Sequence, residues 1–446
     1  MRVLLVSTYE LGHQPLHVAS PAASLAAAGH DVRTLDLAVE TWDLDAVAWA
    51  EAVAVSVPMH TALRLAQRWV EVVRALHPDL PVCLYGLYAN LASEDLADRR
   101  IAGEYEPALL EWVAGLGPEP TAPPASVELG RSSFLTPKRD TLPPLDRYAH
   151  LALGEERRLA GYVEASHGCL HRCRHCPVPV VYDGRLRIVP EDVVLADAAA
   201  QVEAGARHIT FGDPDFLNGP MHSLRIVRRL HERFPHVTFD CTAKVDHILR
   251  HADLWPEMAG AGCLFVISAF ESVNDNILDR LDKGHTAAQA AEVVTLLRGH
   301  GIEVRPSFLP FTPWTTADDI VDLVDFVAEH DLVGNVEPVQ YTIRLLIPAG
   351  SLLADDASLA GQLGPYDPER LTWTWSSVEP AVDELQRQLA GLVERDLHAG
   401  EPIASIHGRV RAAAYEAAGR AGALIPELIP LGAGDARPRL TEPWFC

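Results

Sequence analysis

Lysine is almost missing from this chain of 446 residues: Lys138, Lys244 and Lys283 are the only three, and arginine carries the rest of the positive charge. Lys and Arg together number 37 against 61 Asp and Glu, a formal net charge of −24. A surface of that sign repels phosphate backbones and anionic lipid, which excludes nucleic acid and membrane surfaces as partners. Long apolar runs are also missing, and none approaches the roughly 20 residues that a bilayer-spanning helix needs. The apolar start Met1–Ser7 is interrupted by Glu10 and His13 before it can form a signal-peptide core. Cysteine is scarce and odd in number, seven with three in one loop, which argues against a disulfide framework and for a reducing compartment. These absences predict a cytoplasmic protein, long enough for two or three domains.

The three clustered cysteines form the loop Cys169-Leu-His-Arg-Cys173-Arg-His-Cys176, followed by Pro177. Thiolates at this spacing can converge on one metal centre. A structural zinc or a fully ligated iron–sulfur cluster usually takes four protein ligands, however, and here there are three. Three thiolates on a four-iron cluster leave one iron open to a substrate or cofactor. The other reading of the loop is a zinc knuckle completed by His167, His171 or His175.

Residues 1–116 alternate short apolar strands with helical patterns. Strands are predicted at Val3–Ser7, Asp31–Leu37, Ala52–Val57 and Val82–Tyr85, with helices at Pro21–Ala28 and Thr61–Leu76. Such alternation predicts a parallel sheet with ligands at the carboxyl ends of its strands. Residues 117–160 are rich in proline and read as an extended linker. Across 161–350 the alternation resumes, with strands predicted at Tyr162–Ala165, His208–Phe211, Val237–Cys241, Leu264–Ser268, Glu303–Phe308 and Val336–Tyr341. Six βα units suggest a partial (β/α)6 barrel with its site at the strand carboxyl ends. Residues 351–446 read as a helical region, notably Ala381–Leu397 and Ile406–Ala423.

The cysteine spacing, placed directly after the first barrel strand, resembles the radical S-adenosylmethionine (SAM) superfamily. The resemblance implies a [4Fe–4S] cluster on Cys169, Cys173 and Cys176, with SAM on the open iron and reductive cleavage to a 5′-deoxyadenosyl radical. One departure is His175, where the family usually has an aromatic residue. Further matches follow in the family's order. The stretch His208–Phe216 resembles the segment that receives the SAM amino group, which implies Gly212 and Asp213; Cys241–Asp246 implies Lys244 as a contact to the SAM carboxylate or ribose. Ala261–Gly284 is the most extended match and implies Glu271, which either holds SAM or pairs with a basic neighbour. Phe308–Thr312 takes the place of the adenine-packing segment without its glycine.

A Rossmann-like domain before such a barrel resembles the B12-binding-domain class. The fold class is therefore α/β: a Rossmann-like, cobalamin-binding-type domain, then a radical SAM partial barrel and a helical C-terminal tail. The cobalamin signature Asp-x-His-x-x-Gly is absent, so any cobalamin would be bound without a histidine on cobalt. Where a Gly-Gly should let the nucleotide tail pass, the chain has Tyr85-Gly86. A scaffold domain that binds no corrinoid is the other reading. The end Leu440-Thr-Glu-Pro-Trp-Phe-Cys446 resembles a small radical SAM family with a Cys-selenocysteine-Ala-Glu-Pro or Cys-Cys-Ala-Glu-Pro tail. That likeness implies a selenocysteine codon read as a stop, and the gene decides it: a codon other than UGA after Cys446 rejects the idea.

The expected function is reductive SAM cleavage acting on an unknown small-molecule or peptide substrate, fed by an electron donor such as flavodoxin or ferredoxin. With cobalamin the expected outcome is methyl transfer; without it, hydrogen abstraction. The rival is a non-catalytic iron–sulfur or zinc interaction module. A tRNA methylthiotransferase would need a second cysteine cluster near the N-terminus, where only Cys83 occurs.

Overall fold

The computed structural model describes residues 1–116, 124–130, 133–420 and 437–442. In the N-terminal part the central strands are buried on both faces, as in Ala52–Ser56, where every residue is buried, while the edge strand Asp31–Asp36 is partly exposed. The strands β1 (Arg2–Ser7), β2 (Asp31–Asp36), β3 (Ala52–Ser56), β4 (Val82–Tyr85), β5 (Arg99–Gly103) and β6 (Ala125–Glu128) are all parallel, in the order β2-β1-β3-β4-β5-β6. Helices Leu16–Ala27 and Glu106–Ala114 cover one face through a core that includes Val18, Leu25, Tyr85 and Trp112. Helices Leu44–Trp49 and His60–Leu76 cover the other through Val55, Trp69 and Val70. This is the doubly wound order, whose switch point between β1 and β3 opens a crevice at their carboxyl ends.

The first helix starts at Leu16, five residues before the predicted Pro21. Proline lacks the N–H that would bond the carbonyl four residues back, so His17 O is left free within the helix. The Tyr85 hydroxyl donates to that carbonyl at 2.8 Å. A helix defect is thereby turned into a tie between the helix and the end of β4.

The second sheet contains β7 (His150–Leu153), β8 (Glu156–Val163), β11 (His208–Phe211), β12 (Thr238–Thr242), β13 (Cys263–Glu271), β14 (Glu303–Phe308) and β17 (Arg439–Leu440), in the order β14-β13-β12-β11-β8-β7-β17. Between these lie two antiparallel pairs, β9 (Ser166–Gly168) with β10 (Leu186–Ile188) and β15 (Leu363–Asp367) with β16 (Thr372–Trp375). β8 and β11 to β14 run parallel, with helices returning across one face, so their carboxyl ends gather at one mouth.

Three expectations are corrected here. The stretch 117–160 is no plain linker. β6 extends the first sheet, and β7 forms a hairpin with β8 at the start of the barrel. Prolines prompted the linker reading, yet they flank the edge strand β6 rather than interrupt it, which edge positions tolerate. Arg139, in the same stretch, pairs with Asp197 at 2.6 Å and donates to Tyr162 O at 2.7 Å and Gln14 O at 3.2 Å, fastening both domains. The predicted sixth barrel strand is instead a short 3-10 turn, Pro338–Thr342, followed by a single bridge between Phe311 and Arg344. Pro338 cannot donate to a ladder, and the Arg305–Glu337 ion pair at 2.6 Å holds the turn beside β14. The C-terminal region has its two helices, Pro380–His398 and Ile403–Ala417, but also the β15–β16 hairpin and β17, which pairs with β7. No helix among the described residues is long and apolar enough to cross a membrane.

Candidate functional site

β8 ends at Val163, and the chain turns through β9 into the cysteine loop before returning along helix Val178–Tyr182 and β10. Gly168 holds a φ of +76° at the loop's entry, and a Cβ there would overlap the Tyr182 ring and Arg185 O. Only glycine suits both constraints. The loop is bound to the barrel from below. Asp213, just past β11, accepts from Ala165 N at 2.9 Å and from Ser166 Oγ at 2.5 Å. Arg174 N donates to Leu281 O at 2.9 Å, and the Arg174 guanidinium pairs with Asp356 at 2.6 Å.

Cys169 and Cys173 are buried and Cys176 is partly buried. Burial pushes the Cys176 thiol up to about 12; the neighbouring thiols Cys173 and Cys169 push the same way, while Lys283 opposes them. Burial also raises the Cys169 thiol, and thiols that resist ionisation on their own suit metal ligation, because a bound metal supplies the charge that removes their protons. The Asn218 side-chain amide lies 3.4 Å from Cys169 Sγ, placed to donate to a thiolate. Neither Asn218 nor the role of Lys283 was foreseen, because each reaches the thiols from a different βα loop.

Lys283 is 3% exposed, and its ammonium lies 3.1 Å from Glu271 Oε1. His175 Nε2 meets the same oxygen at 3.1 Å. Burial alone would raise the Glu271 carboxyl, but Lys283 first and then His175 outweigh it and hold the group far below the usual carboxylate range. Glu271 itself has a φ of +61° where the register of β13 against β14 shifts. A non-glycine residue in that region costs roughly 1–3 kcal/mol, and the ion pair offsets it. Of the two roles expected for Glu271, the structure shows the pairing with basic neighbours.

The other expected SAM contacts gather at the same mouth. The Gly212 backbone follows β11 with its N–H on Val163 O at 2.9 Å, and a Cβ there would overlap the Tyr162 phenol. Asp213 uses both oxygens on the cysteine loop, and burial, against the Ser166 and Ala165 hydrogen bonds, raises its carboxyl to about 7. Lys244 caps helix Val245–Arg250 with its Nζ 3.7 Å from Asp246 Oδ1. The three histidines of the zinc-knuckle reading have other partners: His167 pairs with Glu104, His175 with Glu271, and His171 with His247 and Asp215. Cys446 and its expected selenocysteine neighbour fall outside the described residues.

A second buried polar cluster lies where the switch-point crevice faces the barrel mouth. His17 Nδ1 contacts Tyr105 Oη at 2.8 Å and His17 Nε2 lies 3.5 Å from Glu164 Oε1. His167 Nε2 lies 3.5 Å from the other oxygen of Glu164, and its Nδ1 is 3.1 Å from Glu104. Tyr162 donates to Glu164 at 2.8 Å and Tyr182 to Glu104 at 3.0 Å. Burial disfavours both imidazolium ions, yet Glu10 and Glu164 raise His17 to about 9, and Glu104 with Glu164 raises His167 to about 10. Both rings are therefore charged at neutral pH and bind the two domains through carboxylates. Glu10, buried beside them, is pushed up to about 7 by desolvation.

A five-stranded parallel half-barrel with three thiols at its mouth defines a class, and residues 163–327 match the Radical SAM superfamily. The chain therefore carries a radical SAM domain. The hopanoid C-2 methylase of Rhodopseudomonas palustris is 26% identical over 283 residues, covering 61% of this chain and 52% of that protein. The ribosomal protein uS12 methylthiotransferase RimO of Chloroherpeton thalassium is 25% identical over 189 residues, covering 40% and 43%. The chain spans about half the length of the curated relatives it matches. Among solved structures, the cobalamin-dependent SAM radical enzyme OxsB with aqua-cobalamin bound aligns with a TM-score of 0.69 at 15% identity, over 89% of this chain and 67% of that one. TsrM from Kitasatospora setae, a radical SAM methyltransferase solved with cobalamin and a [4Fe–4S] cluster, aligns with a TM-score of 0.57 at 20% identity, over 74% and 73%. At these identities the likeness is one of fold, and with OxsB it takes in both domains.

Proposed function

We propose that this chain is a radical SAM enzyme that cleaves SAM reductively and, where cobalamin is bound, transfers a methyl group to an unactivated carbon or phosphorus. The observation that carries the reading is the set of three thiols at the barrel mouth, faced by a buried ammonium and a side-chain amide. That donor set fits a [4Fe–4S] cluster on Cys169, Cys173 and Cys176, since thiolate clusters are tuned by nearby charge and hydrogen bonds. When bound, the cluster supplies an electron and an open iron for SAM, and cobalamin supplies a carrier for the methyl group.

The chain's own residues bind, orient and shield. Lys283 and Asn218 compensate negative charge on the thiolate side, from opposite flanks of the loop. Glu271 fixes Lys283 and His175, and Asp213 fixes the start of the loop, so both carboxylates act as positioning residues. Lys244 is left as the cation for the SAM carboxylate, and the backbone after β11 offers acceptors for its amine. Apolar side chains such as Phe211, Phe216 and Val266 pack the sheet against its helices and so hold the strand ends in place.

A second reading, hydrogen abstraction without a corrinoid, is favoured by one observation. Tyr85 is fully buried at the end of β4, packs at a tilt against Tyr105 with 4.8 Å between ring centroids, and fills the place where a small residue should admit a nucleotide tail. Protein produced with cobalamin present and then desalted separates the two. A corrinoid absorption spectrum at one equivalent supports methyl transfer, and protein that carries its cluster but no corrinoid leaves hydrogen abstraction. The substrate is a small molecule or peptide, the electron donor a small flavodoxin or ferredoxin, and the compartment the cytoplasm.

A further inference from the structure

His171 sits inside the cysteine loop but faces away from the reading that absorbs its neighbours. Its Nε2 lies 3.2 Å from Nε2 of His247, which belongs to helix Val245–Arg250 after β12. His247 Nδ1 lies 2.7 Å from Asp215 Oδ2, which is also 3.5 Å from His171 Nε2, and Asp215 is fully buried. A buried carboxylate this close to both rings favours a proton or a cation held among them. Two imidazole nitrogens that face each other so closely repel unless a proton or a cation lies between them. One carboxylate oxygen of Asp246 completes a set of three donor atoms, all within 4.8 Å of one another. Asp246 Oδ1 is itself buried without a hydrogen bond, its nearest cation being Lys244 at 3.7 Å.

We propose that His171, His247 and Asp246 form a divalent transition-metal site beside the cluster loop, with Asp215 as the residue that orients His247. Two imidazoles and one carboxylate suit zinc or ferrous iron, and exclude magnesium or calcium, which prefer oxygen cages. Three protein donors leave a coordination position open, the pattern of a metal that engages water or a substrate oxygen rather than one that only braces a fold. The side chains of His171 and Asp246 are 19% and 16% exposed, so that open position is reachable from the barrel mouth. An ion here would also tie the cysteine loop to the end of β12, across the turn that carries Asn218. The site owes nothing to the SAM reading: it stands or falls on the metal content.

The test uses the full chain carrying its cluster, washed with chelator and titrated anaerobically with zinc, and in parallel with cobalt(II) as a coloured probe. The expected result is one zinc per chain beyond the cluster iron, and a cobalt spectrum with ligand-field bands but no thiolate charge-transfer band. His247→Ala should abolish both signals, and Asp215→Asn should weaken the affinity by roughly 10–100-fold, the usual cost of losing a partner behind a metal-bound histidine. A chain with all three loop cysteines replaced by alanine should keep the cobalt bands. Wild-type protein that takes up no zinc in the titration would overturn the proposal without any variant. So would cobalt bands that carry thiolate charge transfer and survive His247→Ala.

Discussion

At the mouth of the barrel three thiols, an ammonium and an amide converge on one point, whereas at the carboxyl end of the N-terminal sheet phenols, imidazoles and carboxylates fill the space between the domains. Both sites obey the same rule, that parallel strands present chemistry at their carboxyl ends. They differ in what satisfies the buried polar groups. In the domain interface each carboxylate already has its partners: Glu164 meets His17, His167 and Tyr162, and Glu104 meets His167 and Tyr182. In the cysteine loop the thiols have only weak partners of their own and call for a metal. One region is a closed fastening, the other a set of ligands.

Substitutions should separate the two regions by what they abolish. The largest effect is expected from Cys173→Ala, which should eliminate cluster absorption and all SAM cleavage while leaving the N-terminal sheet intact by circular dichroism. Lys283→Met should come next, because it leaves Glu271 buried and short of its main partner. Chemical denaturation of the reconstituted protein should show a loss of about 3–5 kcal/mol, and adding Glu271→Gln should restore part of it. Cluster potential should also fall in Lys283→Met, since a positive charge beside the thiols is removed.

Within the fastening the expected effects are smaller and depend on pH. His17 and His167 have folded values near 9 and 10 against an ordinary 6.5, so the stability they add is full below pH 6.5 and lost as pH rises through 9 to 10. Glu104 and Glu164 are held below their ordinary value, so their share is lost as pH falls below about 4.5. The melting temperature should therefore be highest between about pH 5 and 6.5 and decline steadily toward pH 10. Replacing Glu164 by Gln should flatten that alkaline decline, and an unchanged slope would break the assignment. The smallest effect is expected from Asn218→Ala: about 1 kcal/mol in stability, with a shift of the cluster potential in the same direction as Lys283→Met.

The same contrast decides how much could be read from the sequence. Cys169, Cys173 and Cys176 lie within eight residues, so their convergence is dictated by a single loop and is visible as spacing. The strands around them are legible for a similar reason, since several are short apolar runs beside a glycine, such as His208–Phe211 before Gly212 and Cys263–Glu271 after Gly262. Lys283 and Glu271 were visible as residues of a motif, but their pairing needed the left-handed turn at Glu271 to bring them together. The fastening was hidden because Glu10, His17, Glu104, Glu164, His167 and Tyr182 come from stretches as far apart as 10–17, 104, 164–167 and 182, and no single spacing joins them. The edge strand β6 and the strand β17 were missed because proline and short length obscure period-two patterning. The sixth barrel strand was overread for the opposite reason: an apolar run around Pro338 looks like a strand until the missing donor is counted.

The central claim is that the three thiols hold a cluster whose open iron takes SAM. Anaerobic reconstitution of the full chain with iron and sulfide, followed by dithionite and SAM, tests it directly through the products. Four irons per chain are expected in the reconstituted cluster, together with methionine and 5′-deoxyadenosine that appear in wild-type protein and not in Cys169→Ala. Intact SAM after reduction of a fully formed cluster would contradict it.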